Sequence, residues 1–371
     1  MNALIDARSR QAGIQDITGK ILAGERLEFA EGVRLFRTED LNLLGSLADR
    51  VRRERHGDAA FYNVNQHINY TNICNKLCRF CAFKRLPRDE DAYCMTKEQV
   101  ADEIRKRLDD PVTEVHVVAG IYPKLDYEYY LGLLRAIKEA RPAIHIKAFT
   151  MVEIDEIQRV ARKPLEEVFA DLRAAGLDSL PGGGAEIFAD RVKREIFPGK
   201  IGGDRWLEIA RTAHQAGLRS NCTMLYGHIE TFEERVDHLQ RLRSLQDETG
   251  GFQALIPLSF HPENTELDHI PAPTAADDLR TIAVSRLFLD NVDHIKAYWV
   301  MLGLPVAQMA LNFGADDIDG TVTQERIYHD AGATTPQALT REDLHQLITD
   351  AGFRPVQRNT LYNVIAEGDS F

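Results

Sequence analysis

Three cysteines, Cys74, Cys78 and Cys81, stand in the run Cys-Asn-Lys-Leu-Cys-Arg-Phe-Cys, with Phe80 directly before the last. Thiolates select zinc, copper(I) or iron–sulfur clusters, and such clusters are normally held by four of them. Three close cysteines can bind three irons of a [4Fe–4S] cube and leave the fourth open to a ligand. Two other readings compete. Cys94 with the triplet could close a four-thiolate zinc site, but zinc ligands usually come as two close pairs and Cys94 stands alone. A disulfide framework fits worse, since five cysteines is an odd count and 371 residues bury a core without covalent staples. The triplet reads as a cluster site.

Hydrophobic residues make up 44% of the chain and charged ones 27%, ordinary for a soluble globular protein. A formal net charge of −12 argues against nucleic acid or an anionic membrane as the main partner. No apolar run approaches the roughly 20 residues a membrane helix needs. Met1–Arg8 has no basic segment followed by an apolar core, so no secretion signal is expected. Free thiols and an oxygen-sensitive cluster fit a reducing cytoplasm.

Residues 1–60 read as a helical N-terminal extension. Thr38 looks like an N-cap ahead of Leu41, Leu44, Ala48 and Val51, and Arg52-Arg53-Glu54-Arg55 like a solvated helix end. From His67 the rhythm changes to short strands alternating with amphipathic helices, the pattern of a parallel sheet. Strands are expected at His67–Thr71, Val115–Gly120, Ile144–Phe149, Asn221–Tyr226, Phe252–Leu258 and Ile295–Met301. Between them Thr96 with Gln99 forms a capping box, a helix covers 127–140, and another runs from Pro164 to Gly176. Asp204 caps a helix ending at Gly217, and Thr274 caps one more. No G-x-G-x-x-G follows the first strand, which disfavours an open dinucleotide-binding sheet. The expected fold is α/β, a (β/α) barrel of the TIM type, closed or incomplete, over 61–310, with 311–371 as a C-terminal segment packed on it.

Barrel enzymes place their sites at the C-terminal ends of the strands, where the cysteine loop falls. Ala119 and Gly120 end the second strand, and a glycine there lets backbone approach a ligand, or simply turns. Pro181-Gly182-Gly183-Gly184-Ala185-Glu186 follows a further strand, implied after Ala175-Gly176-Leu177 and the fourth of about seven in chain order. A flexible linker competes there with close approach of Gly183 and Gly184 to a nucleoside, Glu186 accepting from a hydroxyl or amine. His228 after the fifth strand suits acid–base work, against the competing reading that a lone histidine is more often structural. Asp316, Asp317 and Asp319 lack the spacing of a calcium loop and read as capping or turn acids.

The cysteine spacing with its aromatic residue resembles the signature of radical S-adenosylmethionine (SAM) enzymes. The resemblance implies a [4Fe–4S] cluster on the three cysteines, SAM chelated to the open iron, and one-electron cleavage to a 5′-deoxyadenosyl radical. Members often carry Gly-Gly-Glu where this chain has Ala119-Gly120-Ile121. The stretches His67–Asn72, His116–Pro123, His145–Ile154, Ser179–Phe188, Met224–Glu230 and Asn312–Thr321 are similar to one group of these enzymes. That group contains the aminofutalosine synthases, the dehypoxanthine futalosine cyclases and the two halves of the deazaflavin-forming FO synthases. Lys147-Ala148-Phe149-Thr150 and Leu180–Gly184 look most like the aminofutalosine synthases of menaquinone biosynthesis. The resemblance implies an aryl enol-ether dicarboxylate, 3-[(1-carboxyvinyl)oxy]benzoate, as substrate, and a reductant such as flavodoxin or ferredoxin. Lys147, His228, Lys296 and Arg326 are the candidates by position for its carboxylates. A non-catalytic iron–sulfur protein remains the rival from another class, and needs a fourth ligand such as Cys94.

Overall fold

A computed structural model describes residues 3–367. Met1 and Asn2, which open the stretches read for a signal and for the helical extension, and 368–371 at the end of the C-terminal segment lie outside the described residues. The strands among them are β1 (Ala59–Asn63), β2 (Asn65–Ile68), β3 (Glu114–Val117), β4 (His145–Ala148), β5 (Ser179–Leu180), β6 (Arg219–Tyr226), β7 (Phe252–Ser259), β8 (His294–Ile295), β9 (Asp317–Gly320), β10 (Arg354–Arg358) and β11 (Val364–Glu367).

β2 to β8 hydrogen-bond in chain order as a seven-stranded sheet, every pair parallel. β8 does not pair with β2, so the barrel is incomplete as a sheet. Residues 317–323 fill the gap through single parallel bridges, Lys296 with Asp317 on one side and Gln66 with Thr323 on the other. β9 also pairs with β1, which joins β10 and β11 in a second, four-stranded sheet. The C-terminal segment therefore supplies part of the barrel's wall.

Helices cover the outer face because their apolar stripes need it. The helix Tyr127–Ala140 buries Tyr130, Leu133, Leu134 and Ile137, and Lys97–Arg105 buries Val100, Ala101 and Ile104 behind the Thr96–Gln99 capping box. Each of the Val, Leu and Ile side chains among them contributes about 1.5–3 kcal/mol by leaving water. The strands lie between those helices and the barrel's interior, so they are buried on both faces, and Asn65, Gln66 and His67 of β2 and Glu114 of β3 are buried with them.

Several local expectations change. Thr38 ends the helix Phe29–Arg37, and Asp40 caps the next one by accepting from Leu43 N at 3.0 Å. Arg52 is not solvated: it is fully buried, donates to the carbonyls of Gly57 and Ala59, and lies over the Phe353 ring. The helical region gives way to β1 at Ala59. Gly202 caps the helix Gly203–Gln215, leaving Asp204 in its first turn. The strand expected at Ile295–Met301 stops at Ile295, and Trp299–Leu302 is a helical turn.

Candidate active site

The loop after β2 is pinned by backbone hydrogen bonds on both flanks. Gly120 N donates to Thr71 O at 2.9 Å, Asn75 N to Ile121 O at 3.0 Å and Cys74 N to Arg85 O at 3.0 Å. Leu77 turns the loop in the left-handed region, φ 49°. Cys74, Cys78 and Cys81 all line one cavity at the C-terminal ends of the strands. Cys94 does not, and its Sγ faces the Tyr129 hydroxyl at 3.9 Å. Around one zinc ion thiolate sulfurs sit about 4 Å apart. Among the described residues, the one set of three His, Cys, Asp or Glu ligand atoms within 4.8 Å of one another is His56, His294 and Asp316. The three sulfurs are spread wider than a single ion permits, while sharing a wall and lacking a fourth thiolate. That arrangement fits a cluster with one open iron. Burial pushes the Cys78 thiol up to about 12, against the pull of the Lys200 ammonium.

Gly120 is required by the cysteine loop itself. A Cβ there would stand 2.4 Å from Ile73 O and 3.1 Å from Cys74 Cβ. Gly120→Ala is therefore expected to displace the loop and cut iron bound per chain several-fold. Gly19→Ala, with nothing within 4 Å and a helical setting, serves as control and should gain about 0.5–1 kcal/mol. Iron assays with melting curves on both variants check this.

Ala119 lines the cavity, and its N–H donates to Glu153 Oε1 at 3.2 Å. The same oxygen accepts from the buried Tyr70 hydroxyl at 2.8 Å, and Oε2 from Thr150 N at 2.7 Å. Burial raises this carboxyl to about 7. A glutamate reaching in from the helix after β4, Met151–Ala161, thus holds the strand end at Ala119-Gly120-Ile121.

The glycine run is ordered by contact. A Cβ on Gly182 (φ 74°) would strike Asn221 O at 1.8 Å, and one on Gly184 (φ 81°) Val152 Cγ2 at 2.6 Å. Gly183 O accepts from Trp206 Nε1 at 3.1 Å. Gly183, Gly184 and Glu186 line the cavity with the cysteines, and Glu186 is paired with Lys200. Burial alone would lower Lys200, but the Glu186 carboxylate beside it holds the ammonium above its usual value. Lys200 also sits 5.2 Å from the Phe80 ring centre. The sequence reading missed it. Its only signal was Gly199, where a Cβ would meet Lys76 O at 2.5 Å, so that only glycine lets this loop touch the cysteine loop.

His228 lies in the loop after β6, at the same end of the sheet, but its ring does not line the cavity. Nδ1 meets Glu230 at 2.7 Å, the side chain is fully buried against Phe260, and Nε2 has no partner. Lys147 and Lys296 are buried in pairs with Glu114 (2.7 Å) and Asp319 (2.9 Å), and Arg326 is exposed beside Tyr93. None of these three cations lines the cavity. Asp316, Asp317 and Asp319 are not turn acids: Asp317 and Asp319 belong to β9, and all three are buried acceptors for Arg286, Arg358 and Lys296.

Residues 68–242 match the Radical SAM superfamily, and 249–370 match the CofH/MqnC C-terminal region. The chain is 46% identical to aminodeoxyfutalosine synthase of Thermus thermophilus, over 96% of this chain and 98% of that one. It is 36% identical to cyclic dehypoxanthine futalosine synthase of Halalkalibacterium halodurans, over 95% of each. In fold it is similar to methylornithine synthase, with a TM-score of 0.72 at 19% identity, covering 91% of this chain and 97% of that one. Both sequence matches run through the cysteine loop, the glycine run and the gap-filling C-terminal segment alike, and on that ground the chain belongs to the radical SAM enzymes, in the aminodeoxyfutalosine synthase family.

Proposed function

We propose that this enzyme joins the 5′-deoxyadenosyl group of SAM to the vinyl carbon of 3-[(1-carboxyvinyl)oxy]benzoate. One water is consumed and the products are 6-amino-6-deoxyfutalosine, methionine and bicarbonate, a step of menaquinone biosynthesis. The observation that carries the reading is the 46% identity to aminodeoxyfutalosine synthase across 96% of the chain.

In this reading Cys74, Cys78 and Cys81 hold the cluster, with Phe80 packed beside it. The cluster and SAM, when bound, supply the electron and the adenosyl radical. The chain positions and protects. Ala119 and Gly120 offer backbone to the amino acid end of SAM, steadied by Glu153. Gly183 and Gly184 let the nucleoside close on the backbone, and Glu186, fixed by Lys200, accepts from it. Val118, Leu225, Ile256, Leu258 and Phe260 make the walls apolar, which keeps water from a reactive carbon. His228 is a positioning residue: its buried ring stays outside the cavity and holds the loop after β6 through Nδ1 and Glu230. The partners are this dicarboxylate and a reductant of the flavodoxin or ferredoxin kind, in a reducing cytoplasm and without nucleic acid.

The direct test is an anaerobic assay of the reconstituted chain with SAM, reductant and the enol ether. One methionine per adenosylated product supports the reading, and methionine release without such a product overturns it. Glu186→Gln is expected to lower turnover at least tenfold, and because it leaves the Lys200 ammonium without its carboxylate it should also lower the melting temperature. Glu186→Asp, which keeps the charge, should recover the melting temperature more than the turnover; equal recovery of both would assign Glu186 a structural role.

A further inference from the structure

Two side chains on the cavity wall have no task in the reading above. His67 on β2 and His116 on β3 are register partners, their rings stack 4.6 Å apart and 3° from parallel, and both line the cavity. His67 is 6% exposed, yet its Nε2 has no hydrogen-bond partner. Leaving such a group buried and unpaired costs about 1–3 kcal/mol, which marks a place for a ligand atom. The charges around it are already matched: Lys147 with Glu114, Lys296 with Asp319, and Glu325 with His329. Of the three lysines that line the cavity, Lys84 and Lys200 are also in ion pairs, and Lys76 belongs to the cysteine loop at the mouth. Burial holds His67 neutral, at about 3, so its ring can present an N–H without a counter-charge.

Position then selects the ligand group. His67 stands seven residues before Cys74 and His116 four before Gly120, so both lie deeper in the barrel than the mouth. The vinyl carbon has to meet the adenosyl carbon beside the cysteines and glycines. The ring carboxylate, at the far side of the aryl ring, then points down the barrel. We propose that His67, braced by the stacked His116, binds the ring carboxylate of the aryl enol ether at the cavity floor, an inference that rests on the substrate reading above.

The test is equilibrium binding to the cluster-reconstituted full chain, without reductant or SAM. Three probes are used: the dicarboxylate, 3-(vinyloxy)benzoate, which keeps only the ring carboxylate, and 2-phenoxyacrylate, which keeps only the other. His67→Phe should weaken the first two about tenfold or more and leave the third unchanged, as expected for loss of a hydrogen bond to a charged group. His67→Gln keeps a donor and should show the same pattern with a smaller loss, which also covers a Phe variant that does not fold. Unchanged affinity for the dicarboxylate, or a loss confined to 2-phenoxyacrylate, overturns the proposal. Because binding needs no turnover, this pattern in a chain that makes no adenosylated product would sink the reaction reading and keep the subsite. A wild-type chain that binds none of the probes overturns both.

Discussion

Replacing any one of Cys74, Cys78 or Cys81 by Ala is expected to abolish turnover and strip most iron and sulfide from the reconstituted chain. Cys94→Ala and Cys222→Ala should keep both. The three cysteines line one cavity and no fourth thiolate joins them, so a lost ligand leaves a two-thiolate cube with nothing nearby to replace it. Cys94 points at Tyr129, and Cys222 is buried on β6 with its Sγ 3.6 Å from Ala254 O. Both behave as small apolar side chains. Iron and sulfide per chain decide the matter, and a Cys94→Ala protein without a cluster would defeat the open-iron assignment.

The second large effect is in stability. Lys147→Met should cost about 3–5 kcal/mol, because it leaves Glu114 fully buried without its ammonium, with only Asn63 Nδ2 at 3.3 Å and His116 Nδ1 at 3.8 Å beside it. Adding Glu114→Gln should recover most of that loss. The pair also fixes a pH dependence. Burial would raise the Glu114 carboxyl, but the Lys147 ammonium at 2.7 Å holds it well below its usual value. A depressed folded value means the stabilisation is fully present above the unfolded carboxyl value of about 4.3 and is lost as pH falls through the folded one. In Lys147→Met burial acts without the ammonium and raises the carboxyl, so the gap from wild type in urea melts should begin to narrow as pH falls through that raised value and keep narrowing below about 4.3. A constant gap from pH 7 down to pH 3 would contradict the pairing.

The βα alternation was legible because each strand is bounded by an amphipathic helix with its own caps. Thr96, Thr274 and Gly176 all act where local side-chain and backbone chemistry put them. The cysteine loop was legible because spacing alone restricts what three thiolates can hold. What sequence order could not reveal is long-range pairing. Residues 317–323 close the gap between β8 and β2, so Asp317 and Asp319, which look like turn acids locally, are buried partners of Arg358 and Lys296. Lys147 and Lys296 looked free for the same reason. Glu153 completes a capping box with Thr150, and only the fold brings its carboxylate to Ala119. Lys200 and the His67–His116 stack likewise acquire their neighbours from elements remote in sequence.

A radical that adds to a double bond stays in the product, whereas one that abstracts hydrogen leaves as 5′-deoxyadenosine. Holding the adenosyl carbon against the vinyl carbon makes addition effectively intramolecular. The decisive measurement follows the label from ribose-labelled SAM during anaerobic turnover with the enol ether. The expected result is label in the larger adenosylated product, one methionine per turnover, and free 5′-deoxyadenosine only as a minor by-product. Stoichiometric labelled 5′-deoxyadenosine carrying deuterium from the substrate would contradict it and assign the chain to hydrogen abstraction, the chemistry of the cyclase.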